Sequence, residues 1–283
     1  MKLVGDFRDF LSDTVNLNQT RLDRLEDRIT AIKTFIRDAD WEPRISAFIE
    51  QGSWAHGTII KPVDGGEFDA DLLVKVHPIV GWSAAQYVRE LGRAFLDSNR
   101  YGDKTVVYDY CVTITYADDC KIDIAPLVMD RDQQGALEVC NKRKDEFEDS
   151  QPVEYTRWMR EKNGYSGNNS FRKATRLIKY IRDIKKRFSC QSVLLTTLIG
   201  HRIEWWDKDS GAFADTPTAL SRGRGRKTVK DYRAQPSAVA ETRYERSRVA
   251  RLALKVMRTV VDLRSHGSKI FVPRVGAHCR LLR

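Results

Sequence analysis

The stretch Phe68-Asp-Ala-Asp-Leu-Leu-Val-Lys-Val76 carries the pattern that decides the fold of this chain. Its run of apolar and β-branched residues predicts a partly buried β-strand. Because side chains alternate along a strand, Asp69 and Asp71 are expected on one face, close together. Two neighbouring carboxylates repel each other unless a cation lies between them, and hard cations with oxygen ligands, such as Mg²⁺, suit that arrangement.

A third acidic residue lies in a second strand-like stretch, Lys121-Ile-Asp-Ile-Ala-Pro126. Ile122 and Ile124 point to one side of such a strand, and Asp123 points to the other. An isolated carboxylate in an apolar strand is costly unless it is paired or binds a metal. If this strand lies beside the first, three carboxylates converge, as in a two-metal phosphoryl-transfer site. Each acidic signal alone is weak, because Asp-x-Asp pairs are common and Asp123 also fits a strand end.

A turn-prone segment, Gln51-Gly-Ser-Trp-Ala-His-Gly-Thr58, precedes the first of these strands. Gly52 lets the backbone approach a ligand closely, and Ser53 supplies a hydroxyl. If a helix begins here, its N–H groups favour a phosphate, and Gln51 becomes a further phosphate or nucleotide contact. A Gly-Ser pair by itself carries little information. Its combination with a following Asp-x-Asp strand and a later strand aspartate is specific.

This combination resembles the DNA polymerase β-like nucleotidyltransferases, whose pattern is a Gly-Ser turn, a spacer, Asp-x-Asp and a later strand aspartate. The resemblance is closer to the CD-NTase family, the cGAS/DncV-like oligonucleotide cyclases of bacterial antiphage defence. The segments that carry it are QGSWAHGTIIKP, EFDADLLVKV and DIAPLV. The likeness extends from about residue 15 to about residue 220.

The resemblance implies an α+β, two-lobed nucleotidyltransferase fold with a small mixed sheet, a long N-terminal spine helix and a helical second lobe. Residues 1–150 are expected to form the nucleotidyltransferase palm lobe with the spine helix, and residues 151–283 the helical lobe. Trp205 and Trp206 are expected in the core or at a lobe interface. Local patterns predict a helix at 18–38, a strand at 45–50, a helix after 83, strands at 106–116 and 121–128, a solvated charge run at 143–149, and helices from 170 and at 191–206.

The resemblance also implies two nucleotide-binding residues in the second lobe. Family members hold the donor triphosphate with a lysine on one helix and a serine in the next, and Lys179 and Ser192 match those positions. Arg172, Arg176 and Lys179 are predicted on the polar side of their helix. Either Ser189 or Ser192 is predicted at a helix start, where N–H groups favour phosphate. A solvated cationic face and an ordinary helix cap remain alternative interpretations.

Together these residues predict a nucleotidyltransferase. Asp69, Asp71 and Asp123 are the expected catalytic residues and the ligands of two Mg²⁺ ions, for which Mn²⁺ can substitute. ATP and other ribonucleoside triphosphates are the expected substrates. The resemblance alone implies a cyclic di- or trinucleotide second messenger, read by a cyclic-nucleotide-responsive effector in CBASS-type antiphage signalling. The alternatives are a nucleotidyltransferase that modifies RNA or protein, and a catalytically weak nucleotide- or RNA-binding regulator.

Composition restricts the cellular setting. The sequence has no apolar run long enough to span a membrane, so no membrane partner is expected. Its five cysteines form no CxxC pair, which argues against a zinc ribbon or a disulfide scaffold. This cysteine usage favours a cytoplasmic protein.

The positive charge is concentrated in the tail of the chain. The chain has 49 Lys+Arg and 39 Asp+Glu, and residues 222–283 hold 17 of the basic and 4 of the acidic residues. The rest of the chain therefore has 32 basic and 35 acidic residues, a net charge of −3. Three interpretations of this Arg-rich tail stay open: a divergent amphipathic helix, a basic element that binds nucleic acid or a partner, and a change of reading frame.

Overall fold

The computed structural model describes residues 4–185, 190–207 and 216. In this part of the chain a single seven-stranded sheet is combined with helices, so the α+β fold class is confirmed. The Arg-rich tail from residue 222 and its three interpretations lie outside the described residues.

The N-terminal part of the chain is helical. Helix α1 (Val4–Phe10) continues into a π-helical turn, and α2 (Gln19–Asp38) is the long spine helix predicted from the sequence. The Asn18 side chain caps α2, because its Oδ1 accepts a hydrogen bond from the Arg21 backbone N–H at 2.9 Å. The buried side of α2 consists of apolar residues spaced three and four apart, which are Leu25, Ile29, Ile32 and Ile36.

Helix α2 is anchored to the turn that follows the fourth strand. The Arg28 guanidinium donates hydrogen bonds to both carboxylate oxygens of Asp118, at 2.8 and 3.0 Å. It also lies 4.1 Å from the centroid of the Tyr116 ring, within the range of a cation–π interaction. This clamp fixes the spine helix against the loop that leads into the strand of Asp123.

The seven strands form a mixed sheet. They are β1 (Ile45–Gln51), β2 (Phe68–Val76), β3 (Thr105–Val107), β4 (Val112–Thr115), β5 (Cys120–Met129), β6 (Leu137–Asn141) and β7 (Glu146–Asp149). The main path has the order β1-β2-β5-β4-β3, and β6 pairs with β5 and with β7. Strands β2 and β5 are parallel neighbours, and the other pairs are antiparallel. The two strands predicted to carry the acidic residues are therefore adjacent.

The remaining helices are α3 (Gly52–Ala55), α4 (Ala84–Leu96), α5 (Pro152–Tyr165), α6 (Ser170–Lys185) and α7 (Ser192–Gly200). Helix α4 follows Ser83, as predicted, although the Ser83 side chain makes no capping hydrogen bond. Helix α7 is shorter than the predicted 191–206 segment. Trp205 and Trp206 follow it and are 66% and 52% exposed, so the prediction that they are core residues is wrong.

Four strands differ from the sequence prediction, and one of them, β6, lies where no strand was predicted. The segment predicted as one strand at 106–116 is divided into β3 and β4, which pair with each other in antiparallel fashion. The charged segment at 143–149, predicted as a solvated loop or face, ends in β7, whose outer residues are exposed and which pairs with β6. Because β7 has only one partner strand, it lies at an edge of the sheet, where charged side chains are favourable.

The chain divides into two compact units. Among the described residues, one unit contains 17–57 and 64–156, which include the sheet, α2, α3 and α4. The other contains 4–16, 58–63, 157–185 and 190–207, and here the Lys61 backbone N–H bonds to the Val15 carbonyl at 2.7 Å. Helix α5 contributes residues to both units. None of the described helices is both long and apolar enough to cross a membrane.

Candidate active site

Two of the three predicted carboxylates are direct neighbours in the sheet. Asp71 on β2 and Asp123 on β5 are register partners, and partners in a parallel pair project to the same face. Their side chains are almost fully buried, with Asp71 8% and Asp123 5% exposed. The Thr113 hydroxyl, on the adjacent strand β4, donates a hydrogen bond to Asp123 Oδ1. The pair thus occupies a fixed position at the centre of the sheet.

Asp69 lies at the exposed start of the same strand. It precedes Asp71 by two residues, so alternation places it on the same face, and its register partner is Lys121. The Lys121 ammonium bonds to Glu67 at 2.7 Å. Burial lowers the pKa of Lys121, but the interaction with Glu67 outweighs it, and the net shift is upward. Within 4–185 and 190–207, no three His, Cys, Asp or Glu side chains converge closely enough to hold a metal ion.

The Gly-Ser turn lies directly against Asp71. Gly52 has a φ of +71°, and a Cβ built on it would lie 1.6 Å from Asp71 Oδ2. No side chain fits in that space, so the close approach of backbone and carboxylate requires glycine. Gln51 is the register partner of Asp71 on β1, and Ser53 follows in the short helix α3. The sequence motif and the Asp-x-Asp strand therefore form one structural element.

The turn is also tied to the start of α5. The Gln51 side-chain amide donates to the Pro152 carbonyl and to Thr156 Oγ1, both at 3.2 Å. His56 Nε2 lies 3.1 Å from the same Thr156 oxygen, and its ring makes an edge contact with Tyr155. The structure thus directs the Gln51 amide nitrogen at α5. Sequence reasoning missed Thr156, because a threonine inside an unpredicted helix carries no motif.

The two predicted phosphate-binding residues belong to the other unit. Lys179 on α6 is only 5% exposed, and its Nζ donates to the Thr58 carbonyl at 3.0 Å. Ser192 is the first residue of α7, and its Oγ accepts a hydrogen bond from Arg182 at 3.0 Å. Arg182 also holds the Cys190 carbonyl, at 2.9 Å. Arg182 belongs to no recognisable sequence motif, although it connects the end of α6 to the start of α7.

The three aspartates of the unit that contains the sheet determine which metal ion it could bind. Asp69, Asp71 and Asp123 offer only oxygen atoms, which is the donor type that Mg²⁺ prefers. Two of these carboxylates are held side by side in a buried setting, where their mutual repulsion favours a cation between them. Asp71 and Asp123 therefore fit a hard divalent cation, whereas Asp69 does not complete a group of three with them in the described part of the chain.

Comparison with protein families gives one match over more than half of the chain. The model of the Second Messenger Oligonucleotide or Dinucleotide Synthetase domain matches residues 1–163. This range includes the Gly-Ser turn and all three carboxylates. A search of curated proteins gives no match.

Solved structures show the same fold at low sequence identity. The Bradyrhizobium diazoefficiens CD-NTase CdnG in complex with GTP superposes with a TM-score of 0.65 at 16% identity, covering 94% of this chain and 92% of that one. Escherichia coli MS115-1 CdnC with ATP gives 0.63 at 17% identity, covering 94% and 93%. Vibrio cholerae DncV in its apo form gives 0.51 at 18% identity, covering 75% and 62%.

These likenesses confirm the two-lobed nucleotidyltransferase fold and the resemblance to CD-NTases that the sequence predicts. The family match and the Gly-Ser turn against the paired carboxylates lead to the same conclusion. The chain belongs to the second messenger oligonucleotide or dinucleotide synthetases, a family of nucleotidyltransferases.

Proposed function

We propose that this protein joins ribonucleoside triphosphates into a cyclic di- or trinucleotide second messenger. The observation that carries the proposal is the adjacent pair Asp71 and Asp123, packed against Gly52 at the Gly-Ser turn. A nucleotidyl-transfer site needs carboxylates held together beside a backbone segment that approaches phosphates. Membership in the synthetase family supports the same activity.

The three carboxylates are proposed to hold two Mg²⁺ ions, or Mn²⁺ in their place. When bound, such ions neutralise the triphosphate and lower the pKa of the acceptor ribose hydroxyl. Asp123 is also the proposed proton acceptor for that hydroxyl. The Thr113 hydrogen bond orients its carboxylate by occupying Oδ1. Gly52 fixes the position of Asp71 from the other side.

The donor triphosphate is proposed to contact Gln51, Gly52 and Ser53 at the turn, and Lys179 and Ser192 in the helical unit. Arg182 occupies an acceptor lone pair of Ser192 Oγ, so the hydroxyl proton of Ser192 is directed away from Arg182 and can be donated to a phosphate oxygen. The Lys179 ammonium is buried, and a buried cation is stabilised by an anion more strongly than a solvated one is.

A role in bacterial antiphage signalling belongs to the same proposal. Its product would act on an effector that binds cyclic nucleotides, and both would work in the cytoplasm. The support is that similar folds occur in an E. coli CdnC:HORMA complex and in a STING-associated c-di-GMP synthase from Capnocytophaga granulosa. At 15–16% identity these likenesses show the fold, and the signalling role is an inference from it.

The activity is tested by incubating the full chain with each ribonucleoside triphosphate and Mg²⁺, followed by mass spectrometry. A phosphatase-resistant cyclic product is expected. The variant Asp69→Asn/Asp71→Asn should release no pyrophosphate while keeping its circular dichroism spectrum, because the amides remove the negative charge that holds the cation. Wild-type turnover by this variant would refute the assignment of the carboxylates.

Two other outcomes would point to different functions. Label transferred to RNA or protein would favour a nucleotidyltransferase that modifies a macromolecule. Binding of nucleotide without any turnover would favour a regulator that has lost catalysis.

A further inference from the structure

A single threonine hydroxyl on α5 contacts both ends of the Gly-Ser turn. The short helix α3 (Gly52–Ala55) is preceded by Gln51 and followed by His56. Gln51 Nε2 donates a hydrogen bond to Thr156 Oγ1 at 3.2 Å, and His56 Nε2 lies 3.1 Å from the same oxygen. The helical turn is therefore held at its beginning and at its end by one side chain.

The hydrogen-bonding capacity of these side chains fits the arrangement. The Gln51 amide nitrogen carries two protons, and it donates both to Thr156 and to the Pro152 carbonyl, which is also 3.2 Å away. A threonine hydroxyl has one proton and two lone pairs, so it can accept from Gln51 and also bond to His56, whichever ring nitrogen of His56 carries the proton. His56 is only 7% exposed, so loss of this bond is poorly compensated by water.

The turn depends on such contacts, because it has little stability of its own. Helix α3 has four residues, and an isolated helix shorter than about 12–15 residues is marginal in water. One contact that fixes it is the close approach of the Gly52 backbone to Asp71 on β2. Thr156 supplies a second contact, from α5. Both contacts lie within the unit that contains the sheet.

We propose that Thr156 is a positioning residue for nucleotidyl transfer. Its hydroxyl acts through Gln51 and His56 to keep the Gly52 backbone in place against Asp71. This role rests on the proposed function, because the Gly-Ser turn is where the donor triphosphate is proposed to bind. It also gives the Gln51 amide nitrogen a defined task, which is to fix the start of the turn.

The test is the variant Thr156→Val, which keeps the shape of the side chain and removes the hydroxyl. Steady-state kinetics of the full chain are measured with Mg²⁺ and the ribonucleoside triphosphates that the wild type uses. We expect kcat and kcat/KM to fall together by about tenfold, because small displacements of reacting groups reduce the rate without weakening ground-state binding. Thr156→Ser keeps the hydroxyl and should retain most of the wild-type kcat.

The matched control is Thr105→Val. Thr105 is half-buried like Thr156, and its hydroxyl donates one hydrogen bond, to the Tyr101 carbonyl at 2.7 Å, but it lies on the edge strand β3. Chemical denaturation should show a similar loss of stability in both valine variants, and only Thr156→Val should lose kcat. Equal kcat of the two valine variants would overturn the proposal. So would a loss of kcat in Thr156→Ser as large as that in Thr156→Val.

A double-mutant cycle tests whether Thr156 acts through Gln51. Gln51→Met removes the amide donors and keeps the length of the side chain. The double variant Gln51→Met/Thr156→Val should lose less kcat than the product of the two single losses, because both substitutions break the same hydrogen bond. Losses that multiply would show that the two side chains act separately, which would overturn the proposed coupling.

A measurement without turnover separates the positioning role from the proposed function. Trp54 lies inside the turn, and fluorine NMR of protein labelled with fluorotryptophan reports its surroundings. Loss of one resonance in Trp54→Phe identifies the Trp54 signal. In protein without metal or nucleotide, this signal should shift in Thr156→Val and keep its wild-type position in Thr156→Ser and Thr105→Val.

The fluorine signal and the kinetics fail in different ways. An unchanged Trp54 signal in Thr156→Val would overturn the positioning role, whatever product the enzyme makes. A shifted signal, together with a wild type that performs no nucleotidyl transfer, would support the hold of Thr156 on the turn and refute the proposed function alone.

Discussion

Asp71 can occupy its position because Gly52 has no Cβ atom. Position 52 requires glycine for two reasons. Its backbone is left-handed, with a φ of +71°, and a Cβ at this position would lie beside Asp71 Oδ2. Asp71 in turn lies beside Asp123, whose carboxylate is held by Thr113. A small substitution at Gly52 or Thr113 is therefore expected to displace a carboxylate without removing it.

Gly52→Ala is expected to lower kcat by about 100-fold, because displacing a reacting group by about an ångström costs that much. The matched control is Gly65→Ala. Gly65 also has a left-handed backbone, with φ +68°, but no atom lies within 4 Å of the position its Cβ would take. Both variants should lose about 1–2 kcal/mol of stability from the left-handed conformation, and only Gly52→Ala should lose activity. Steady-state kinetics and chemical denaturation measure the two effects, and equal activity of the two variants would contradict the explanation.

Thr113→Val tests whether the hydrogen bond to Asp123 matters for the proposed metal site. Valine keeps the shape of threonine but cannot donate a hydrogen bond. We expect the Mg²⁺ concentration for half-maximal activity to rise by about tenfold, as for other groups that orient a metal ligand. The control is Thr115→Val on the same strand, whose register partner is Lys121 rather than an acidic residue. An unchanged Mg²⁺ requirement in Thr113→Val would show that Asp123 is oriented without Thr113.

Strands β2 and β5 each carry the site and part of the core on one face. Beyond Asp71 and Asp123, the same face continues with Leu73, Ala125 and Leu127, which are buried in one apolar cluster. The apolar ends fix the two strands, and the acidic ends take their positions from that packing. The unfavourable burial of two neighbouring carboxylates is therefore confined to one end of β2 and β5. The other end of both strands is stabilised by the apolar cluster.

The clamp between α2 and the turn before β5 predicts a pH dependence of stability. The hydrogen bonds from Arg28 keep the pKa of Asp118 below its usual value. A lowered pKa in the folded state stabilises the protein above the unfolded pKa, about 3.9, and this contribution is lost as the pH falls through the folded pKa. Asp118→Asn should therefore lower the free energy of unfolding by about 1 kcal/mol at pH 7. The difference from wild type should shrink as the pH falls below the unfolded pKa, and a difference that stays constant as the pH is lowered would contradict this account.

For the molecule as a whole, the sequence predicted those helices and strands whose apolar residues follow a regular spacing. The β2 strand was predicted from its apolar run, whereas the adjacency of β2 and the strand of Asp123 entered only as a condition that the structure then met. Helix α2 was predicted from its regular apolar stripe. The structure contains both of these elements.

Other features depend on tertiary contacts that leave little trace in the sequence. Three of the four residues of β7 are charged, which suits a strand with a single partner. Helix α5 has too weak an apolar period to be recognised from the sequence. Lys179 was expected on a polar face but is buried against the Thr58 carbonyl, which is distant in sequence. The hydrogen bonds of Arg182 and Thr156 likewise join segments that no local pattern connects.

The parallel pairing of β2 with β5 also has a consequence for biosynthesis. Asp71 and Asp123 are 52 positions apart, and their strands pair only after the intervening helix and hairpin have emerged. Contacts this distant form late, because a long loop must close first. A chain that ends before Asp123 therefore carries Asp71 without its register partner, and it lacks the adjacent carboxylates of the candidate site.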